Sequence, residues 1–188
     1  DAESIRDAML AASGQLDQPP SGPHPFPDVS TWNYTIHYPF HAVYESNHRS
    51  IYLMIQRARR HPFLALFDAA DPNISTATRQ MTITPTQSLY LMNAPFVHTQ
   101  AAALAERLLS SCNVKLQPPD EQQQRAAIQQ AYQLTLSRQP SDSELDLALQ
   151  FLHESCELED QAGEAVQRAA WEAFARVLLT SNEFLYID

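Results

Sequence analysis

The sequence predicts a mainly α-helical fold: a single helical bundle-like domain with a small extended or β-hairpin insertion near residues 30–55. Apolar residues recur at helical spacing over most of the chain, two capping boxes mark helix starts after residue 80, and one short stretch alternates like a strand. With 188 residues, 44% of them apolar, the chain is long enough to bury one core. Because it opens at Asp1 without an initiator methionine, we expect residues 1–188 to be a fragment of a larger protein.

The first half of the chain predicts one helix and one extended stretch. The helix is predicted over residues 2–12, where apolar side chains share a face, and Gly14 is expected to end it. A proline-rich surface crossing follows from Gln15 to Ser30. Alternation then predicts a strand over residues 31–38, one face of which carries Trp32, Tyr34, Ile36 and Tyr38. The run from Arg49 to Leu53 fits either a second extended piece or the start of a helix.

A capping box opens the second half. Thr84 stands at the N-cap, Pro85 at the first helical position and Gln87 at N3, which predicts a short helix through Met92. A longer helix is predicted over about residues 95–110.

Three more helices are predicted toward the end of the chain. Asp120 caps the first, which carries apolar residues as far as Leu136. A second capping box, from Ser141 to Glu144, opens the next. The last helix covers about residues 162–182 and is expected to bury Val166, Ala169, Ala170, Phe174, Val177 and Leu178.

Charge and composition exclude several classes of function. The net charge of −10 argues against a nucleic-acid partner, because phosphate contacts require a local excess of Lys and Arg. No apolar run reaches the ~18 residues of a membrane span, so none is expected in this chain. Only three glycines are present, which leaves no glycine-rich phosphate loop. Residues 111–188 hold thirteen acidic and five basic side chains, which fits a solvated bundle face or an acidic docking surface for a basic partner.

Metal and cofactor motifs are also absent from the sequence. There is no Cys-x-x-Cys-His haem attachment, no Cys-x-x-Cys pair and no His-Glu-x-x-His helix, so we predict no metal site and no cofactor in this chain. His37 and His41 have the spacing of two ligands on a helix, but Pro39 between them disfavours that geometry. Cys112 and Cys156 fit two buried thiols or a disulfide, and the sequence leaves their pairing open.

Asp68 and Asp71 are the candidate catalytic residues. They stand three positions apart, so one helical turn would place both carboxylates on the same side, where they could act as general acid and base or hold a divalent cation. The alternative, which we favour, is that Arg49 or Arg79 neutralises each of them in a semi-buried ion-pair network. Asp71, which precedes Pro72, could equally be a turn or cap residue. No nucleophile, ligand set or glycine-lined cleft accompanies the pair.

One basic cluster is visible, formed by Arg57, Arg59, Arg60 and His61. It fits a grip on an anionic polymer, on lipid headgroups or on an acidic partner. It also fits a solvated face, or pairing with the acidic helices near the end of the chain.

Several motifs in a fixed order carry a family resemblance. They are DAESIRDAMLAASGQLD, RSIYL, LFDAADP, the lone Arg79, TPTQSLYLMNAPFV, LTLSRQPSDSEL and LLTSNEFLYID. In this order they resemble the planctomycete-type C-terminal domain of unknown function catalogued as fifteen fifty-three, over the whole chain from Asp1 to Asp188. One departure is that the family's double-glycine turn after the first helix is replaced here by residues 19–23, PPSGP.

The resemblance implies a context more than an activity. Members are typically large and exported, and they often carry an upstream cytochrome-c-like domain. Haem c is therefore expected in an upstream domain of the parent, and the expected location is a cell envelope. No catalytic residues are established for the family. The residues that stand in its motifs are Arg49, Asp68, Asp71, Arg79, Pro85, Gln87 and Asn93.

Three functional hypotheses follow. The first is a non-catalytic structural or interaction module that packs against the upstream domains of its own parent and places a haem-bearing or substrate-binding part. The second is a polysaccharide hydrolase or lyase that uses Asp68 and Asp71. The third is a domain that shields or ligates a haem held upstream, which would act with a redox partner.

Overall fold

The computed structural model describes residues 1–18, 28, 30, 46–57, 60–116, 120–157 and 163–186, without the side chains of residues 156 and 157. Within these ranges the chain forms eight α-helices and no strand, which confirms the mainly α-helical, bundle-like prediction. The helices are α1 (Ala2–Ser13), α2 (Pro62–Leu66), α3 (Pro85–Asn93), α4 (Pro95–Ser111), α5 (Glu121–Leu136), α6 (Asp142–Glu157), α7 (Glu164–Leu179) and α8 (Asn182–Leu185).

The predicted extended insertion is described only in part. Its alternating stretch, with Trp32, Tyr34, Ile36, Tyr38 and the two histidines His37 and His41, lies outside the described residues. The run after it is a 3-10 turn over Ser50–Tyr52, in which Tyr52 N–H donates to Arg49 O at 2.8 Å. One isolated parallel β-bridge joins Asp17 to His48.

The predicted helix starts are confirmed by their hydrogen bonds. In the first capping box Thr84 N–H donates to Gln87 Oε1 at 2.9 Å, and Gln87 N–H donates to Thr84 Oγ1 at 3.4 Å. In the second, Ser141 N–H donates to Glu144 Oε2 at 2.8 Å and Glu144 N–H donates to Ser141 Oγ at 3.3 Å. Asp120 Oδ1 accepts from two N–H groups of α5. These bonds satisfy donors that the first turn of a helix leaves unpaired.

The last predicted helix is divided. α7 ends at Leu179, and Ser181 then caps the short α8 by accepting from Phe184 N–H at 3.2 Å. Ala170, Phe174 and Leu178 are buried as predicted, but Val177 is 58% exposed. Ala169 is also exposed, and Val166 is only half-buried. Trp171, Phe174, Ala175 and Leu178 form the buried stripe of α7, and position 177 falls outside it.

The chain folds as two compact units. The first comprises Asp1–Asp7 and Leu16–Ser88. Phe63 is its most buried large apolar side chain, and its ring stacks on Phe67 with centroids 4.6 Å apart. Leu53 and Leu64 are buried in the same unit. This unit contains most of the predicted site residues.

The second unit comprises Ala8–Gln15 and Leu89–Asp188. In it α7 packs against α4, α5 and α6, and α8 contacts α5 and α7. Its core side chains include Leu104, Leu108, Ile128, Trp171 and Leu179, each no more than 2% exposed. Among the described residues, none of the helices is both long and apolar enough to cross a membrane.

Candidate functional site

Most of the predicted site residues lie on or beside the connection between α2 and α3, residues 67–84, which we call the 67–84 loop. It contains no helix or strand and belongs to the first unit. An open pocket of about 420 Å³ beside it is lined by Arg60, Asp68, Asp71 and Arg79, together with Ile74 and small, hydroxyl-bearing or amide side chains. Irregular connections of this length are uncommon in compact domains and often carry function.

Asp68 forms hydrogen bonds with a later residue of the same loop. Its Oδ2 accepts from both Thr82 N–H, at 2.7 Å, and the Thr82 hydroxyl, at 2.8 Å. Its backbone lies in the left-handed region with φ of 60°, which is unfavourable for most side chains and tolerated best by Gly, Asn and Asp. In the part of the chain that the structure describes, no arginine pairs with Asp68.

Asp71 holds a tight turn. Its Oδ1 accepts from Asn73 N–H at 2.9 Å and from Asn73 Nδ2 at 3.1 Å, while Oδ2 lies 3.6 Å from Arg60 Nη1. The bond from the Asn73 backbone is the main cause that lowers the pKa of Asp71. Asn73 Nδ2 also donates to Arg57 O at 3.2 Å. Because α2 ends at Leu66, the two aspartates do not share a helical turn, although both line the pocket.

The two arginines predicted to neutralise these aspartates pair elsewhere. Arg79 Nη1 lies 2.5 Å from Glu3 Oε2 and 3.8 Å from Asp1 Oδ1. Burial raises the pKa of Glu3, but the hydrogen bond from Arg79 helps to outweigh it, so the net shift is downward. Arg49 Nε lies 3.7 Å from Asp7 Oδ2. The ion pairs of these arginines therefore tie their segments to the first two turns of α1.

Gln87 and Asn93 stand at the two ends of α3. Gln87 is 7% exposed; besides capping Thr84, it donates from Nε2 to Leu66 O at 3.0 Å, which joins the start of α3 to the end of α2. Asn93 is exposed and donates from Nδ2 to Leu89 O at 2.9 Å within its own helix. These two residues are not brought together with the aspartates.

A second polar centre, which the sequence did not predict, lies around Arg6. This residue is 2% exposed; Nη1 donates to His48 O at 3.0 Å and to Ser50 Oγ at 3.2 Å, and Nη2 donates to Ser46 O. Asp7 completes the centre, because its Oδ1 accepts from Ser50 N–H at 2.7 Å and from the Ser50 hydroxyl at 2.6 Å. One sequence signal was available: Arg6 falls on the same face of α1 as Ala2 and Met9, where only a well-paired charge is tolerated.

Comparison with known families gives one decisive match. The model of PSD1, a protein of unknown function (DUF1553), matches residues 1–152. The chain belongs to the DUF1553 family. This confirms the family resemblance over residues 1–152, which reach from α1 into α6, while α7 and α8 lie beyond the match. No curated protein and no solved structure matches the chain.

The other predicted groups of this DUF1553 member are dispersed. In the basic cluster Arg60 pairs with Asp71, Arg57 is exposed, and Arg59 lies outside the described residues. Cys112 carries a free thiol whose Sγ lies 2.9 Å from Gln130 Oε1. Within the described part of the chain no three His, Cys, Asp or Glu side chains come together as a metal site would require.

Most polar side chains of this DUF1553 site form hydrogen bonds or ion pairs with other residues of the first unit. Asp68, Asp71, Arg79 and Gln87 each bind another part of the first unit, and the lowered pKa keeps Asp71 an anion rather than a proton donor. These bonds produce a loop of defined shape that lines an open polar pocket and exposes apolar side chains in its middle and toward its end.

Proposed function

We propose that this chain is a non-catalytic interaction module through which a larger exported DUF1553 protein packs against its own upstream domains. One observation carries the proposal: the 67–84 loop exposes three large apolar side chains while its motif residues hold it in place. Ile74 is 67% exposed, Ile83 82% and Met81 89%. Apolar side chains displayed together on a fixed segment are typical of a surface that a partner covers.

The motif bonds lie where they fix these side chains. Thr82, which Asp68 binds twice, stands between Met81 and Ile83 in the sequence. Asn73, adjacent to Ile74, is held by Asp71 and by the backbone of Arg57. Ordering an exposed loop before it binds lowers the entropy lost on association, which strengthens binding without any new contact. This gives the motif aspartates a role that requires no substrate.

The partner of this surface is the rest of the parent protein, in a cell envelope, and includes the cytochrome-c-like domain with its haem c. Full burial of one large apolar side chain contributes about 1.5–3 kcal/mol, so two such side chains change an affinity by well over tenfold.

The test compares two matched variants of the purified chain. We expect it to bind the upstream part of the parent at tens of micromolar by light scattering, and Met81→Gln with Ile83→Gln to weaken binding by more than about tenfold. Val177→Gln, which changes a side chain of α7 that is 58% exposed, serves as the control and should leave binding unchanged. Absence of binding by the unaltered chain, or an equal loss in the control, would refute the proposal.

A second candidate function is a polysaccharide hydrolase or lyase, favoured by one observation: Asp68 and Asp71 line the same open pocket of about 420 Å³. A pocket of that size accepts a sugar unit, and its hydroxyl and amide walls suit a polyhydroxyl ligand. Asp68→Asn keeps an acceptor for Thr82 and a residue tolerant of the left-handed backbone, so it removes the acid chemistry with little change in shape. Unchanged polysaccharide turnover by the full-length Asp68→Asn protein would eliminate this candidate. A fall in turnover of about a hundredfold or more would support it and overturn the first proposal.

A further inference from the structure

The last part of the 67–84 loop is an extended stretch of main chain. Residues 79–84 run without a turn, bend or helix, and none of them has a positive φ. The chain from Asn73 to Thr84 contains no proline, so each of its residues keeps an N–H donor. Half of these twelve residues are threonine or isoleucine, whose β-branched side chains favour a strand.

One edge of this stretch is already bonded within the first unit. Thr82 N–H donates to Asp68 Oδ2 at 2.7 Å, and Thr84 N–H donates to Gln87 Oε1 at 2.9 Å. In an extended chain the N–H and C=O of one residue point to the same side, and those of its neighbours point to the other side. Thr82 and Thr84, two positions apart, therefore lie on one edge, which we call the inner edge.

The main-chain groups of Met81 and Ile83 form the opposite edge, which we call the outer edge. In the part of the chain that the structure describes, nothing bonds to the N–H or the C=O of either residue. Their side chains are 89% and 82% exposed, and they share one face, because side chains two positions apart on an extended chain point the same way. The outer edge therefore offers two donors and two acceptors beside an apolar face.

We infer that the outer edge binds an extended peptide segment of the upstream part of the parent by β-strand addition, which rests on the proposed function. Another extended main chain matches these donors and acceptors one for one, whereas a helix uses its own N–H and C=O groups internally. The bound segment carries apolar side chains at alternate positions, which cover Met81 and Ile83, and no proline where it bonds to them. Because Asp68 fixes Thr82 beforehand, less entropy is lost on binding.

Charge contributes little to this recognition. Arg79 is the one charged residue from Asn73 to Thr84, and its guanidinium pairs with Glu3 at 2.5 Å. Main-chain hydrogen bonds and apolar contacts are therefore the interactions that the stretch offers to a partner.

Amide hydrogen exchange, followed by NMR on the whole isotope-labelled chain with and without the purified upstream part of the parent, tests this pairing. We expect exchange at Met81 and Ile83 to slow by about tenfold or more in the complex. Exchange at Gln80, whose N–H lies on the inner edge, should change by less than about threefold. Such alternation is typical of a strand ladder, whereas docking through side chains alone does not produce it.

A matched set of variants separates the main chain from the side chains. Met81→Pro removes the N–H and the side chain, whereas Met81→Ala removes only the side chain. Met81→Pro should therefore bind the upstream part at least about fivefold more weakly than Met81→Ala. Gln80→Pro removes an N–H of the inner edge and should bind within about threefold of the unaltered chain. Proline suits an extended backbone, and circular dichroism checks that the variants fold.

The outcomes separate this pairing from the proposed function. Binding without alternating protection, equal binding by Met81→Pro and Met81→Ala, or a loss in Gln80→Pro as large as in Met81→Pro would overturn the inference and leave the proposed function standing. Absence of binding by the upstream part would refute both. Protection of Met81 and Ile83 that appears in the chain alone and grows with its concentration would assign the outer edge to a second copy, which also overturns the inference.

Discussion

Asp68 binds Thr82 through one carboxylate oxygen, which accepts at 2.7 Å from the backbone N–H and at 2.8 Å from the hydroxyl of a residue fourteen positions later. The pair closes the 67–84 loop at its base, between the end of α2 and the start of α3. The spacing of Asp68 from Asp71 suggests an acid–base pair, but the Asp68 carboxylate acts in the structure as a hydrogen-bond acceptor that stabilises the loop.

Replacement of Asp68 by alanine should loosen the loop. Alanine loses both bonds to Thr82 and is strained at a φ of 60°, so we expect a loss of about 2 kcal/mol in the free energy of unfolding of the first unit. Limited proteolysis should then cut between residues 74 and 83 much faster. Asp68→Asn, which keeps an acceptor and tolerates this backbone, should behave nearly as the unaltered chain; equal proteolysis of all three proteins would contradict the role given to this bond.

Arg6 is the residue whose replacement should be most damaging in the first unit. It is 2% exposed and donates to three acceptors between Ser46 and Ser50, so Arg6→Met leaves those acceptors without this donor. We expect a loss of about 3 kcal/mol or more in chemical unfolding.

Two further variants separate charge from geometry at this position. Arg6→Lys keeps the charge but lacks the planar fork that reaches several acceptors at once, so it should recover only a small part of the loss. Ser4→Ala, at an exposed position of the same helix, should change the unfolding free energy by less than about 0.5 kcal/mol. A stable Arg6→Met protein would show that the Ser46–Ser50 segment does not depend on this side chain.

Sequence reasoning succeeded where the determining contacts are local. The Thr84–Gln87 and Ser141–Glu144 boxes join residues three positions apart, so the pattern alone predicts both their bonds and the helices that follow. It could not assign the partners of Arg49 and Arg79, because those ion pairs reach residues 42 and 76 positions away, on α1. The spacing of Asp68 from Asp71 fits one helical turn, but α2 stops at Leu66 and the chain turns through a left-handed residue, which the spacing alone does not reveal.

Gln87 shows how a local pattern can conceal a distant contact. Its capping role is visible in the sequence, while its bond to Leu66 O, at 3.0 Å and 21 positions away, is not. Gln87→Ala should lose both interactions and about 1–2 kcal/mol in the thermal unfolding of the first unit, because the cap is lost and the half-buried Leu66 carbonyl loses this donor.

Gln87→Glu isolates the second bond. Glutamate still accepts from Thr84 N–H, but a carboxylate cannot donate to Leu66 O and is repelled by it. We expect Gln87→Glu to be at least as destabilising as Gln87→Ala above about pH 5, where the carboxylate is ionised. If the glutamate variant were as stable as the unaltered chain, the cap would account for the whole contribution of Gln87 to stability. The hydrogen bond to Leu66 O would then contribute nothing.

Glu144 makes the second unit sensitive to acid. Arg138 donates to both its oxygens, at 2.9 and 2.7 Å; this bond first, and then the N–H of Ser141, lower the pKa of Glu144 from the usual 4.5 to about 2. Arg138 also lowers the pKa of Glu183, to which it donates from Nε at 2.6 Å. Since the folded pKa lies below the unfolded value, the stabilisation is complete above about pH 4.5 and is lost as the pH falls toward 2.

Urea unfolding of the second unit from about pH 2.5 to about pH 6.5 measures this dependence. Glu144→Gln should be less stable than the unaltered chain near pH 6.5, because a neutral amide binds Arg138 less strongly. The difference should shrink as the pH falls, since the unaltered carboxylate becomes protonated while the amide does not titrate. Glu172 lies on α7 and forms no ion pair with any described residue. The free energy of unfolding of Glu172→Gln should therefore change with pH in the same way as that of the unaltered chain. A gap between Glu144→Gln and the unaltered chain that stays constant with pH would mean that Glu144 titrates alike in the folded and unfolded states, and that Arg138 holds it by shape rather than by charge.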